Sequence, residues 1–438
     1  MEHPSSSLLA ACANPDALFK TPTETLLHTV YKEFSHEINC LRRAYSVRPA
    51  SNHDEVNRTL VSFLALRWVH LGDYVNFVGT QSSSETQLTT ESFTYLQTIY
   101  KTLITTTEAL YTLITLIITN DLGKDPHLAT EYQIATGIDI SNQNHDAILL
   151  SAYKANLIPS LSYMPSAGGY KSDAISGIEL GATFNFGQLA QGENAPVSLA
   201  GLLPLKSTGN KRAFQFRFLE QIFDIAGAAG HIDWSCARKI GQNQAVWDSL
   251  RAVYEACSAV LEQGLGLREA YDKVLRGREG GLRERGFAVL RGEDEDVEMS
   301  GTDRAFMRVL CMGNVTSFES AVLYKDTWDR LDEGVRAGLV YSLNVFGRRG
   351  EPAVQPTYMP ALLSGIKDER ALACAFQFLC RVMTAPEDVG DPSAVVIERS
   401  VLGVLKQYVE TGQFREDPTV LDRADVPKGV VAQTESGV

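Results

Sequence analysis

The chain has 438 residues, 44% hydrophobic and 21% charged, with a formal net charge of −13. That balance belongs to a globular protein able to build a sizeable core, and the acid surplus argues against nucleic acid or an anionic membrane surface as a partner. An acidic chain that handles an anionic substrate must gather local positive charge, from Lys, Arg or a bound cation.

Residues 1–20 read as a flexible arm with no basic start, unlike a signal peptide. From there to about 48, Leu26, Leu27, Val30, Tyr31 and Phe34 recur at helical spacing. A second helix is expected from Asp54 to just before Gly79, and a third from about Thr90 to Ile118, where length outweighs the β preference of its threonines and isoleucines. Residues 157–209 are rich in Gly, Pro, Ser and Asn yet too apolar for a linker. They are expected to form a pocket-lining loop region with short helical pieces such as Ser172 to Leu180.

The segment "KRAFQFRFLEQIFDIAGAAG" is a strong helix, followed by helices near 241–264 and 266–276. Residues 286–304, with the run "EDEDVE", are expected as an acidic surface loop, and 424–438 as a flexible tail. Helices at about 316–332, 334–346, 368–384 and 393–410 lie between them. Strand signals are weak throughout. The fold class is therefore all-α, a single large helical domain over residues 21–423 with an apolar internal cavity. Seven scattered cysteines without a CxxC pair fit reduced thiols, and no apolar run reaches the roughly 20 residues of a membrane span. A cytosolic protein is expected.

Polar constellations punctuate these helices. In "TNDLGKD", Asp121 stands at a helix C-terminus, where the dipole disfavours a carboxylate and a nearby cation would relieve it. The bland alternative is a Gly-terminated helix with solvated acids. In "NQNHDAILL", His145 and Asp146 open a helix behind Asn144, an arrangement that serves equally as a cap or as ligands for a metal or phosphate. In "FLEQIFDIAGAAGHIDWS", Glu220, Asp224 and His231 share one stripe of a helix that is otherwise apolar nearly all round. Buried acids there need a partner or a cation.

His70 and Asp73 are three apart, a spacing that more often marks a structural pair. The stretch "GIELGATFNFGQLAQGENAP" places Glu179, Asn185, Gln188, Gln191, Glu193 and Asn194 among Phe184 and Phe186, which suits either a pocket for an apolar body with a polar end or a capped helix. P-loop, GxGxxG, GxSxG and HExxH motifs are absent.

Two resemblances follow. "LIITNDLGKDPHL" resembles the metal-binding helix end of HD-domain proteins, with Asn120 where that family has histidine. It implies a metal-dependent phosphohydrolase or an iron oxygenase. More broadly, "NDLGKD", "NHDAILL", "GIELGATFNFGQLAQGENAP", "EQIFDIAGAAGHIDW" and "PTYMPALL", across residues 110 to 363, are similar to an atypical fungal sesquiterpene synthase family, the α-ionylideneethane synthases of abscisic acid biosynthesis.

That likeness implies conversion of farnesyl diphosphate to a cyclic hydrocarbon with Mg²⁺-assisted diphosphate loss, Fe or Mn being the alternative metals. The chain has neither DDxxD nor an NSE/DTE triad. On this reading Asp121, His145, Asp146 and Asp224 hold the metal, and Lys124, Glu179, Glu220 and His231 carry catalysis. Tyr163, Phe184, Asn185, Phe186 and Gln188 bind substrate. A non-enzymatic helical scaffold is the third reading.

Overall fold

The computed structural model describes residues 7–47, 54–80, 86–162, 164–289, 298–386 and 391–435. The chain forms two compact units: Met1–Ala182 with Thr208–Trp247, and Thr183–Ser207 with Asp248–Val438. Both are built chiefly of helices, as the hydrophobic spacing leads one to expect.

The first unit opens with α1 (Ser7–Ala11) and α2 (Pro15–Lys20), the latter capped by the Asn14 side chain on the Ala17 amide. Leu8 and Phe19 are completely buried. From Ser7 onward the expected arm is thus packed helix, because burying these side chains offsets the entropy of ordering it. After α3 (Thr23–Glu33) and α4 (Ser35–Val47), α5 (Glu55–Leu71) starts on Asp54, whose carboxylate accepts from the Val56 and Asn57 amides. It ends at Gly72, whose φ of 70° needs a residue without Cβ, and Asp73 then caps α6 (Tyr74–Val78).

The helix expected from Thr90 to Ile118 is two: α7 (Thr90–Leu103) and α8 (Thr107–Thr119), turned by 119°. Thr106 makes the break, its hydroxyl accepting from the Ala109 amide to start α8 afresh. Every residue of α8 from Ala109 to Thr119 is buried, so it is the core helix of this unit. Among the described residues no single helix is long and apolar enough to cross a membrane.

A 3₁₀ turn, Leu122–Lys124, leads to α9 (Pro126–Thr136), α10 (His145–Lys154), α11 (Pro159–Ser162) and α12 (Tyr170–Thr183). The chain then passes through α13 (Phe186–Ala190) and α14 (Leu203–Thr208), so the expected loop region is mostly short helices. It returns to the first unit as α15 (Lys211–Gly227) and α16 (Arg238–Gly241). On α15 a Cβ at Gly227 would sit 2.1 Å from Ser62 Oγ and 2.3 Å from the Arg58 carbonyl oxygen. The small residues of "AGAAG" thus let α15 lie directly against α5.

Helix α17 (Gln244–Glu262) enters the second unit at Asp248, and α18 (Leu267–Arg283), α19 (Gly301–Met312), α20 (Phe318–Arg330), α21 (Glu333–Asn344), α22 (Met359–Leu363) and α23 (Glu369–Thr384) follow there. Helix α19 falls partly within the expected acidic loop; residues 290–297 of that loop lie outside the described residues. The helix expected at 393–410 begins instead as a strand. Strand β1 (Ala353–Gln355) pairs in parallel with β2 (Ala394–Glu398), and β2 pairs antiparallel with β3 (Val430–Thr434), inside the expected flexible tail. "AVVIE" is a short β-branched run after Asp391-Pro392, for which periodicity does not separate strand from buried helix. Its Val395 and Val396 pack with Ala195, Val197, Ala200 and Ala353.

Candidate functional site

Four elements of the first unit bring charged side chains to one place. Helix α5 supplies Glu55 and Arg58, the turn after α8 supplies Asn120, Asp121 and Lys124, α10 supplies His145 and Asp146, and α15 supplies Arg217, Glu220 and Asp224. Glycines permit the approach. A Cβ on Gly123 would come within 1.8 Å of the His145 carbonyl oxygen, so only glycine lets the turn meet the start of α10. On α12, a Cβ on Gly181 would stand 2.4 Å from Arg217 Cζ, in the space the guanidinium fills.

The charges form two knots. In the first, Lys124 Nζ lies 2.7 Å from Asp121 Oδ2 and 3.3 Å from each carboxylate oxygen of Glu55. Arg58 Nη1 donates to the same two Glu55 oxygens at 2.9 and 2.8 Å. In the second, Arg217 Nη1 donates to Glu220 Oε2 at 2.6 Å and to Asn120 Oδ1 at 3.1 Å, and its Nη2 to Asp146 Oδ1 at 3.2 Å. His145 Nε2 stands 3.8 Å from Asp146 Oδ2, with 43% of its side chain exposed.

Glu220 is 2% exposed, and its Oε1 has no hydrogen-bond partner, nor has Arg217 Nε. Both residues line a cavity of about 10 Å³ with Leu116, Thr119, Asn120, Leu149, Gly177 and Ile178. That is room for about one water molecule.

Burial sets the protonation of these acids. It pushes Glu220 up to about 8, against Arg217 and with help from Asp224 and Asp146. Asp224 is half-buried, and burial followed by Asp121 raises it to about 7. Glu55 is raised by burial and then by Asp121. Burial opposes the ionisation of Asp121 too, but the Lys124 ammonium outweighs it and holds that carboxyl below its ordinary value. At neutral pH burial therefore keeps Glu220 chiefly as the neutral acid, with Oε2 held by Arg217.

The sequence segments around Asp121, His145–Asp146 and Glu220–Asp224 thus converge. Other expected site residues lie elsewhere. Helix α15 ends at Gly227, so His231 leaves the stripe of Glu220 and Asp224. Glu179, 45% exposed, pairs with Lys154 at 2.9 Å. Phe184 and Phe186 belong to the second unit, both buried, packed edge to face at 5.1 Å. Asn185 caps α13 through the Gln188 amide, and the Gln188 side chain accepts from Gln355. Tyr163 lies outside the described residues. Asp125 is fully buried, capping α9 and pairing with Arg43 at 2.7 Å. His70 bonds to Asp16 and Tyr100 rather than to Asp73.

Among the described residues no three His, Cys, Asp or Glu side chains stand where they could hold a metal ion. The donor set gives the reason. Asp121 and Glu55 face Lys124 and Arg58, while Asp146 and Glu220 face Arg217. As they stand, these residues do not fit a magnesium, manganese or iron ion. Glu55, Arg58 and Arg217 escaped the sequence reading. Their signal was a pair of oppositely charged residues three apart, one of them a lone arginine inside "FQFRFLE".

No curated protein and no solved structure matches the chain significantly. A family model does match, over residues 27–421, which takes in all ten residues of the cluster. The chain belongs to the Family of unknown function (DUF6829).

Proposed function

We propose that the first unit is a proton-transfer enzyme acting on an apolar, unsaturated substrate, with farnesyl diphosphate and its conversion to a cyclic hydrocarbon as the concrete form, in the cytosol. The observation that carries this reading is Glu220, a buried carboxyl raised to about 8, with no hydrogen-bond partner on Oε1, that lines a cavity together with Leu116, Leu149 and Ile178. Once diphosphate has left and the allylic cation has lost a proton to give a neutral polyene, an acid kept neutral near pH 7 can give a proton to one of its double bonds. The cation formed closes the ring and returns a proton to the carboxylate, and apolar walls keep water from intercepting it. Arg217 holds the other oxygen of Glu220 and stabilises the carboxylate left once the proton leaves, while Asp146 on the same guanidinium opposes that charge and favours the neutral acid.

At about 10 Å³ the cavity takes a fifteen-carbon chain only after the helices lining it part. Each cation of the cluster already faces carboxylates, so Arg58, Lys124 and Arg217 would receive a diphosphate by exchanging partners.

A second reading is favoured by the size of that cavity. Room for a single water beside Glu220, next to the "NDLGK" turn, suits hydrolysis of a phosphate ester on an HD-like helical frame. One experiment separates them. The full chain is incubated with farnesyl diphosphate, with and without Mg²⁺, while gas chromatography follows volatiles and phosphorus NMR follows phosphate and diphosphate. A cyclic hydrocarbon with free diphosphate, lost in Glu220→Gln, is expected. Farnesol or orthophosphate would favour the hydrolase. No turnover of this substrate under either condition counts against the synthase.

A further inference from the structure

Two buried polar atoms of the second knot have no hydrogen-bond partner. They are Arg217 Nε and Glu220 Oε1, on residues 5% and 2% exposed. The rest of the pair is engaged, Arg217 Nη1 by Glu220 Oε2 and Asn120, and Nη2 by Asp146. Both residues line the same cavity of about 10 Å³, within the first unit. Helix α12 contributes Gly177 and Ile178 to its wall. One turn on, a Cβ at Gly181 would stand 2.5 Å from Arg217 Nε, which sets that nitrogen against the same helix. A buried donor and a buried carboxyl oxygen left without partners are costly, and no protein group meets these two.

We infer that this cavity is a binding site for one water molecule, held between Arg217 Nε and Glu220 Oε1. The space fits a single water, and a buried water needs two to four polar partners. Its oxygen accepts from Arg217 Nε–H. At Glu220 it serves either protonation state, accepting from a protonated Oε1 and donating to an ionised one. Two further lining residues keep acceptor capacity for its protons. The Thr119 hydroxyl donates to the Thr115 carbonyl at 2.9 Å and still has lone pairs, and Asn120 Oδ1 accepts one bond, from Arg217. The side chains of Leu116, Leu149 and Ile178 complete the lining. The site bears on both reactions proposed above: hydrolysis would consume this water, and a double bond would reach the Glu220 proton only after displacing it.

The test compares the full chain as wild type, Glu220→Leu and Glu220→Gln in solution. Oxygen-17 magnetic relaxation dispersion counts the long-lived waters, and methyl–water cross-relaxation at Leu116, Leu149 and Ile178 places them. Glu220→Leu is expected to hold about one long-lived water fewer than the wild type and to lose the methyl cross-peaks. Glu220→Gln, whose side chain still forms hydrogen bonds, is expected to keep both. Equal counts in wild type and Glu220→Leu overturn the inference, as does loss of the water in Glu220→Gln. If Glu220→Leu does not fold, the wild type decides alone: water cross-peaks at these methyls are expected, and their absence overturns the inference. None of these readouts involves turnover, so failure of the water site and failure of the proposed reaction are told apart.

Discussion

Replacing Glu220 by Gln should change how the stability of the protein depends on pH. The amide keeps the shape and can still accept from Arg217 Nη1, now 2.6 Å from Oε2, but it cannot ionise. In the wild type the folded carboxyl titrates at about 8, against 4.5 when unfolded. Between those values the unfolded chain binds fewer protons than the folded one. Stability therefore falls as pH rises, being fully present below the unfolded value and lost by the folded one.

The slope is about 1.4 kcal/mol per pH unit for one group. Between pH 5.5 and 7 the wild type should lose about 2 kcal/mol through this carboxyl that Glu220→Gln does not lose. Asp224 titrates in both proteins and largely cancels. Urea unfolding at several pH values across that interval measures the difference. Parallel stability curves would mean that Arg217 keeps Glu220 ionised, and the reasoning about a neutral acid would fail.

Three further outcomes follow from the packing. Arg217→Met leaves Asp146 and Glu220 without their shared hydrogen-bond partner and should cost about 3–5 kcal/mol, read from denaturant midpoints at pH 7.5. Gly123→Ala forces a Cβ against the His145 carbonyl, 1.8 Å away, and should destabilise by at least about 1–3 kcal/mol; unchanged thermal unfolding would show that the turn yields. Phe184→Ala should cost about 3–5 kcal/mol, since the ring is 2% exposed against Phe186; altered products with unchanged stability would return that ring to a substrate pocket.

Much of the helical frame is legible in the sequence, because α20, α21 and α23 bury faces that recur at 3.6-residue spacing and α15 is apolar nearly all round. What periodicity hides is where a helix breaks. Thr106 interrupts a continuous apolar pattern by capping α8, and Gly72 does the same between α5 and α6. The three strands are short, and β3 lies in a stretch whose residues are half exposed, so no buried run announces it.

The cluster was half visible. Asp121, Asp146, Glu220 and Asp224 stand out as acids on or beside apolar helices. Their partners do not, because an arginine reads as surface until the fold buries it, and Arg217 is 5% exposed. The need for a cation near Asp121 was sound physics, and Lys124, three residues away, meets it. The aromatic residues of 157–209 are ambiguous for a related reason: rings among glycines and prolines suit a pocket wall and a core equally well.

The central claim is that Glu220 is protonated at neutral pH. Infrared difference spectroscopy of the wild type against Glu220→Gln tests it directly, through the carbonyl stretch of a protonated carboxyl. The account predicts such a band at pH 7, assigned by its loss in the variant and titrating away as pH rises through about 8. A spectrum showing only ionised carboxylate at that position at pH 7 would contradict it.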